Sequence, residues 1–451
     1  MSYKSFIEQE FTKNNWVPVA ESFRDMAGDK VLLFTHDDPD GLTAGAILKK
    51  LVEDIGGEVT VKLPPTYELD ESLLDSELEK GDYDAVIVSD KGTMGYYDDY
   101  VGKVDKFIVI DHHPPIGEVN KCLLINPNVG AYYGCSASYM AHMLSTYLGY
   151  GSKYDDYLAL VGLKGDWAVK PAIDDISDYV KDFYSERVVG TFDNLIEKIK
   201  ARPTMFEFMQ RDVTTLINQI SELYFALGGG GFQYFYNDRD SELAELDHAR
   251  FSFDIMERQR DNFNYQNWES LDDFIDDTSD PDKVRKIFEY FKGDWENTMK
   301  LFSGRTDLIE TFGQTDIYKF EGENVLLMPM AGSIYNIDLS EKSGDKEVLF
   351  IMVNVEPSGG VHFSIRATSP NIHAGKICSN LAARLVEKFA HKDEITGGGH
   401  PFAAECKTRN SGVSYEDAIA EFNSLLEEMK EAAKNSNLEK AKELGLDYLS
   451  R

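Results

Sequence analysis

Four short stretches of the chain combine Asp and His in a way that could hold divalent cations. They are His36-Asp37-Asp38-Pro39-Asp40-Gly41, Asp90, Asp111-His112-His113 and Gly165-Asp166. In the first stretch His36, Asp38 and Asp40 alternate. Carboxylate oxygens with imidazole nitrogens and no thiolate suit Mn²⁺ or Mg²⁺ better than structural zinc. So many acidic groups in one turn repel one another, and a divalent cation would remove that repulsion. The pattern therefore indicates a metal centre.

The first three of these stretches follow short apolar segments that are typical of buried strands. Segment 31–34 leads into His36, segment 84–90 ends in an acidic residue, and segment 105–111 leads into the two histidines. Strands that alternate with helical stretches predict a parallel sheet built from βαβ units. The carboxyl ends of such strands lie along one edge, where ligands bind. A single Asp in such a place is equally typical of a helix N-cap or a turn, but their convergence on one edge favours a metal site.

Length and composition limit the class of protein. A chain of 451 residues predicts two or three domains, and a hydrophobic content of 42% is ordinary for a globular protein. No apolar run is long enough to span a bilayer and no leader pattern is recognised, so a cytoplasmic protein is expected. The four cysteines form no C-x-x-C pair, which gives no sign of a zinc ribbon or a disulfide framework.

The formal net charge of −33 argues against broad, non-specific affinity for nucleic acid. It does not exclude a local basic groove or a phosphate site bridged by metal. Part of the negative charge lies in the acidic segment 269–282, which we expect to be a solvated surface loop.

We divide the chain into four parts by the change in pattern. Residues 1–172 form the first domain, 173–315 a helical connector with the acidic loop, 316–435 a smaller domain rich in strands, and 436–451 a C-terminal helix. The segment 324–330 is among the strand candidates of the smaller domain.

A glycine-rich turn in the smaller domain predicts a place for an anion. Gly397, Gly398 and Gly399 allow close approach of the backbone and expose amide N–H groups, and His400 can donate to a phosphate oxygen. Ser364 and Arg366 would add a hydroxyl and a bidentate guanidinium. A glycine run alone is weak evidence, because the run 228–231 occurs with no partner motif.

In their order and spacing, these motifs resemble the DHH phosphoesterase superfamily, in the subgroup with a C-terminal DHHA1 domain. The motif that names the family is Asp111-His112-His113, and Gly397-Gly398-Gly399-His400 resembles the DHHA1 signature. The resemblance implies an α/β fold: a DHH domain with a parallel sheet and helices on both faces, a smaller α/β DHHA1 domain, and a helical connector. The short His36-x-Asp38-x-Asp40 pattern is similar to RecJ-like nucleases, above all to the archaeal branch associated with the GINS complex.

The resemblance also implies a centre of two Mn²⁺ ions, for which Mg²⁺ is an alternative. It places His36 and Asp38 on one ion, Asp40, His112 and Asp166 on the other, and Asp90 as a bridge between them. Asp111 would orient His112 or act as a ligand, and His113 would contact the scissile phosphate. The catalytic set implied is Asp90, Asp111 and His113. The substrate-binding set is Gly397, Gly398, Gly399, His400, Ser364 and Arg366.

The activity expected from the resemblance is a metal-dependent exonuclease on single-stranded nucleic acid, with 5′→3′ polarity. One alternative is a phosphodiesterase that cleaves oligoribonucleotides or dinucleotides, which the negative charge favours because long DNA needs many phosphate contacts. Another is a replication scaffold of the same superfamily. The partners implied are single-stranded DNA or RNA, short oligonucleotides, and replication proteins such as GINS, with no membrane partner.

Overall fold

The computed structural model describes residues 2–64, 69–127, 134–202, 204–207, 212–228, 239–243, 245–369, 371–389, 394–399, 401–409 and 411–446. The chain divides into two compact units, Met1–Tyr290 (the N-terminal unit) and Phe291–Arg451 (the C-terminal unit). Within the described ranges, no helix is both long enough and apolar enough to cross a membrane.

The N-terminal unit contains a five-stranded parallel sheet. Its strands are β1 (Lys30–Phe34), β2 (Glu58–Lys62), β3 (Ala85–Ser89), β4 (Lys106–Ile110) and β5 (Leu123–Ile125). They lie in the order β2-β1-β3-β4-β5, and every neighbouring pair is parallel. The three central strands β1, β3 and β4 are almost wholly buried. This confirms the parallel α/β sheet predicted from the sequence.

The strand order contains a switch point between β1 and β3. The chain passes from β1 outward to β2 and then returns across β1 to build the rest of the sheet in the other direction. In sheets of this kind, ligands bind in the crevice outside the carboxyl ends of the two strands at the switch point. The fold therefore predicts a ligand site beside the segments that follow β1 and β3.

Helices flank the sheet and complete the N-terminal unit. The first six are α1 (Tyr3–Lys13), α2 (Val17–Arg24), α3 (Pro39–Ile55), α4 (Glu71–Lys80), α5 (Ala137–Leu148) and α6 (Lys153–Gly165). They are followed by Lys181–Phe183, Asp193–Ile196, Leu216–Gly228, His248–Gln259 and Leu271–Asp276. Two pairs of short strands, Val169–Lys170 with Asp175–Ile176 and Lys198–Ile199 with Thr214–Thr215, lie between them. The helix Pro281–Arg305 crosses the boundary between the units.

The C-terminal unit is built on a six-stranded mixed sheet. In spatial order its strands are Asp307–Phe312, Thr315–Glu323, Glu347–Val355, Val361–Ala367, Ala403–Lys407 and Thr396–Gly399. Its helices are Met328–Ser343, Ala374–Phe389, Tyr415–Lys434 and Leu438–Leu444. Alternate residues of Val361–Ala367, such as Phe363 and Ile365, enter an apolar core shared with three of these helices.

Three local predictions were wrong. The segment 324–330 is not a strand, because the helix Met328–Ser343 begins within it. The acidic segment is not simply a loop: it contains the helix Leu271–Asp276, which buries Phe274 and Ile275 while its acidic side chains stay largely exposed. The three glycines at 397–399 form an edge strand rather than a turn. The four-part division of the chain stays a prediction.

Candidate metal centre

The end of β1 and the start of α3 place three of the predicted side chains, His36, Asp38 and Asp40, beside the switch point. Asp38 is the N-cap of α3, and its carboxylate accepts a hydrogen bond from Gly41 N at 2.9 Å. Asp40 lies in the first turn of the same helix, and its two oxygens accept from the backbone N–H groups that begin α5, Ala137 N at 2.6 Å and Ser138 N at 2.9 Å. Asp38 therefore caps the helix, as a single Asp in this position commonly does, and the capping hydrogen bond also fixes its carboxylate in place.

Close packing around this segment requires glycine at two positions. A Cβ on Gly41 would stand 2.5 Å from His36 Cβ. A Cβ on Gly162 of α6 would stand 2.5 Å from Asp40 Oδ1 and closer still to Ser138. The missing side chains allow α3, α5 and α6 to meet directly at the acidic residues.

Asp90 sits at the centre of the group. It follows β3 with φ of +53°, a left-handed conformation that Asp tolerates better than most residues. Its Oδ2 lies 3.8 Å from His36 Nδ1. Its Oδ1 lies 3.6 Å from His112 Nε2 and 3.8 Å from His113 Nδ1. The two oxygens of this one carboxylate therefore face different histidines.

The structure brings the predicted ligands together in three overlapping groups, within each of which the ligand atoms lie within 4.8 Å of one another. The groups are His36, Asp38 and Asp90; Asp40, His112 and Asp166; and Asp90, His112 and His113. Within them, His36 Nδ1 lies 3.0 Å from Asp38 Oδ2, and His112 Nε2 lies 2.9 Å from Asp166 Oδ2.

Asp111 occupies a different position from the other acids. Its Oδ1 lies 2.8 Å from His113 Nδ1, and its Oδ2 accepts a hydrogen bond from Thr93 Oγ1 at 2.7 Å. Asn126 donates to Thr93 Oγ1 and to the carbonyl of His113. Asp111 belongs to none of the three groups that the described residues form, and its geometry is that of a residue orienting His113.

Burial and mutual repulsion set the protonation of the acids. Burial, with Asp166 as the carboxylate that repels it most strongly, raises the pKa of Asp40 to about 7. Burial also raises the pKa of Asp90 well above its ordinary value, with Asp40 and Asp38 adding repulsion. Burial acts in the same direction on Asp38, but the contact with His36 outweighs it and holds the pKa of Asp38 low.

Neighbouring carboxylates raise the pKa values of the three histidines. Burial alone would lower the pKa of His112, but Asp166, together with Asp90 and Cys135, outweighs burial and holds it well above the ordinary value. Asp38 does the same for the pKa of His36, and Asp111 for that of His113. The side chains alone thus form a network in which protons take the place that a cation would fill.

The types of ligand atom, and two buried atoms that lack a hydrogen bond among the described residues, fit a divalent cation. His112 Nε2 and Asp166 Oδ2 lie 2.9 Å apart, and both atoms are buried without a hydrogen bond among the described residues. Asp166 is also the C-cap of α6, where the helix dipole disfavours an anion. Oxygen and imidazole ligands without a thiolate match the preferences of Mn²⁺ and Mg²⁺.

Two of the predicted substrate-binding residues, Ser364 and Arg366, are buried and make hydrogen bonds within the C-terminal unit. Ser364 is fully buried. Arg366 donates to Ser333 Oγ at 2.8 Å, to Ser364 Oγ at 3.0 Å and to Pro329 O at 2.7 Å. The guanidinium expected to face a phosphate is thus bound to protein acceptors.

The glycines of the same motif have a packing reason of their own. A Cβ on Gly397 would collide with the carbonyl of Cys378, on the helix Ala374–Phe389. Gly399 has φ of +132°, a conformation that favours glycine. His400 lies outside the described residues.

Sequence reasoning missed two buried charged residues beside the centre, Asp37 and Lys91. Asp37 is 3% exposed and Lys91 is fully buried. Asp37 belongs to the first acidic stretch, but it falls between the alternating residues and was left out of the predicted set. The only sequence signal for Lys91 is its position directly after Asp90.

Comparison with solved structures shows the fold of this chain. The chain is similar to the exonuclease RecJ bound to manganese, with a TM-score of 0.54 and 16% identity over 91% of this chain and 93% of the other. It is similar to the DHH domain of a member of a family of ribosomal proteins, with a TM-score of 0.55 and 15% identity over 94% and 92%. RecJ of Thermus thermophilus in complex with Mn²⁺ is similar with a TM-score of 0.53 and 14% identity. That match covers 91% of this chain and 54% of the other. The chain therefore shares its overall fold with these proteins.

Sequence comparison matches only part of the chain. No family model matches the chain. An uncharacterized protein of Methanocaldococcus jannaschii is 28% identical over 163 residues, a match that covers 32% of this chain. The match spans only about a third (34%) of the length of that relative.

Proposed function

We propose that this protein is a divalent-metal-dependent phosphodiesterase, acting as a RecJ-like exonuclease on single-stranded nucleic acid in the 5′→3′ direction. The observation that carries the proposal is the position of Asp90. One of its oxygens faces His36 and the other faces His112 and His113, so a single carboxylate links two groups of potential ligands. This is the arrangement that a bridging ligand of a two-metal site needs.

The groups support the ligand sets that we propose. His36 and Asp38 would hold one ion, Asp40, His112 and Asp166 would hold the other, and Asp90 would contribute to both. Two divalent cations in such a site supply the positive charge that polarises a phosphodiester and activates water.

The residues around the ligands would bind and orient the substrate. Asp111 holds His113 through Nδ1, which fixes the tautomer of the ring and directs Nε2 toward a phosphate oxygen or the leaving oxygen. Asp40 is held by the N-terminus of α5, so its carboxylate cannot rotate away. In the C-terminal unit, we keep the backbone of the three glycines at 397–399 together with His400 as the proposed phosphate contact. Arg366 would stabilise that unit through its hydrogen bonds to Ser333 and Pro329.

A second candidate function is a phosphodiesterase for short oligonucleotides. The net charge of −33 favours it, because affinity for a long strand comes from many cationic contacts to phosphates. The catalytic residues would be the same, and only the number of nucleotides bound would differ.

Hydrolysis of labelled substrates tests the proposal. The full chain is incubated with Mn²⁺ and single-stranded DNA or RNA labelled at the 5′ or the 3′ end, with a duplex and a dinucleotide in parallel, and chelator as the control. Release of mononucleotides first from the 5′ end of single strands supports the exonuclease. Efficient cleavage of the dinucleotide alone supports the second candidate. No Mn²⁺-dependent hydrolysis of any substrate would refute both.

A further inference from the structure

Asp37 is a buried carboxylate beside the metal centre with no assigned role. It is 3% exposed, and its Oδ2 is buried without a hydrogen-bond partner among the described residues. Its Oδ1 lies 3.5 Å from His36 Nε2. A buried carboxylate is costly unless it is paired, so its presence here needs a reason.

The two nitrogens of the His36 ring face different carboxylates. Nδ1 faces Asp38 at 3.0 Å and Asp90 at 3.8 Å, on the side where the ligand groups meet. Nε2 faces Asp37 on the other side. Metal-binding histidines commonly direct their second nitrogen to a carboxylate, which fixes the ring and makes it a stronger ligand. Asp37 stands where such a carboxylate belongs.

Lys91 is a second buried charged side chain in this part of the N-terminal unit. Its side chain is fully buried, which is rare for lysine unless it is paired. Nζ donates to the carbonyl of Pro64 at 3.0 Å, which anchors the ammonium at the end of β2. Among the acids that act electrostatically on Lys91, Asp37 is the strongest, ahead of Asp90 and Asp38.

We propose that Asp37 is a positioning residue that holds His36 with Nδ1 toward the ligand groups. The inference rests on the proposed metal-dependent function. It assigns a role to a residue that lies outside the predicted ligand set.

Mn²⁺ affinity measured without substrate tests the role of Asp37. Free Mn²⁺ is counted by electron paramagnetic resonance during titration of the full chain. Asp37→Asn keeps the size of the side chain but removes its charge, and we expect Mn²⁺ to bind about 10- to 100-fold more weakly. Circular dichroism and the unfolding midpoint verify that the variant is folded.

Asp156→Asn is the matched control. Asp156 is another buried carboxylate paired with a histidine, since its Oδ1 lies 2.7 Å from His142 Nε2. This pair belongs to none of the ligand groups that the described residues form. Asp156→Asn should leave the affinity for Mn²⁺ unchanged. Equal affinities for wild type and Asp37→Asn, or equal losses in Asp37→Asn and Asp156→Asn, would overturn the inference.

The double variant Asp37→Asn, Lys91→Met is a second test, because it removes both buried charged side chains. Should Asp37→Asn alone prove unstable, the Mn²⁺ affinity of the double variant replaces it, and a wild-type value there refutes the positioning role.

The outcomes separate this inference from the proposed function. If the wild-type chain binds no Mn²⁺, the proposed function fails and the inference fails with it. If the wild-type chain binds Mn²⁺ and Asp37→Asn binds it equally well, only the inference fails.

Discussion

At the scale of single residues, the centre is a set of acids that burial and repulsion disfavour in their charged forms. Asp40 and Asp90 both carry a raised pKa, and the pKa values of His36 and His112 are raised as well, so these rings hold protons more firmly than usual. In the metal-free protein these protons limit the repulsion. A divalent cation would replace them, which gives the acids a reason to be grouped.

Replacing Asp90 should abolish activity while the fold is kept. Asp90→Asn retains the shape of the side chain but removes the charge that both ligand groups share, so we expect hydrolysis to fall by at least about 1000-fold, the scale of losing a principal electrostatic contribution. The measurement is the initial rate on a labelled single strand at saturating Mn²⁺. Wild-type turnover in this variant would contradict the bridging role.

The stability of the metal-free protein should depend on pH through Asp40. Its pKa in the folded chain is about 7, above the ordinary value for Asp, so its contribution to stability is complete below about pH 4 and is lost as the pH rises through 7. The unfolding midpoint of wild type should therefore fall more steeply between about pH 4 and 7 than that of Asp40→Asn, which does not titrate there. Added Mn²⁺ should reduce the fall in wild type. Parallel curves for the two proteins would contradict the assignment.

The sequence predicted the alternating residues His36, Asp38 and Asp40 because strand ends and motif spacing determine where they lie. It did not predict the role of Asp37, since residues adjacent in sequence can face different groups after a turn. Nor did it predict that Arg366 binds the carbonyl of Pro329, because that contact joins residues far apart in the chain.

At the scale of elements, the centre depends on how closely α3, α5 and α6 approach. Asp40 of α3 accepts from the N-terminus of α5, and Gly162 of α6 leaves the space in which Asp40 and Ser138 meet. Three helices thus fix one carboxylate.

Gly162→Ala should disturb that contact. The added methyl group would overlap Asp40 Oδ1 and Ser138, so we expect a loss of about 1–3 kcal/mol in the free energy of unfolding, with weaker binding of Mn²⁺. Gly304→Ala is the matched control, because a Cβ there meets nothing within 4 Å in the helix Pro281–Arg305. It should leave Mn²⁺ binding unchanged and stabilise the helix slightly. Calorimetric unfolding and Mn²⁺ titration of both variants would decide, and an unchanged Gly162→Ala would be evidence against this packing.

The strands β1, β3 and β4 were predictable because each is a short, mostly apolar run that leads into a polar turn. The strand Thr396–Gly399 was not, since glycine has low strand propensity and its pairing with Ala403–Lys407 is set by tertiary contacts. The helix Met328–Ser343 was partly mistaken for a strand because its first residues are as apolar as those of a buried strand.

At the scale of the whole molecule, the net charge of −33 opposes tight binding of long polyanions. If the protein holds a strand mainly at its metal centre, extending the strand should add little affinity. We therefore expect KM for single-stranded DNA to change less than about threefold between about 6 and 30 nucleotides, and to depend only weakly on salt. A steep dependence on length and salt would indicate an extended cationic groove instead.

The central claim is that the residues after β1, β3 and β4, together with Asp166, hold two divalent cations that share Asp90. Anomalous diffraction from crystals grown with Mn²⁺ tests it most directly. We expect two anomalous peaks, one ligated by His36 and Asp38, the other by Asp40, His112 and Asp166, with Asp90 contacting both. The absence of anomalous density at these side chains, with Mn²⁺ present at saturating concentration, would contradict it.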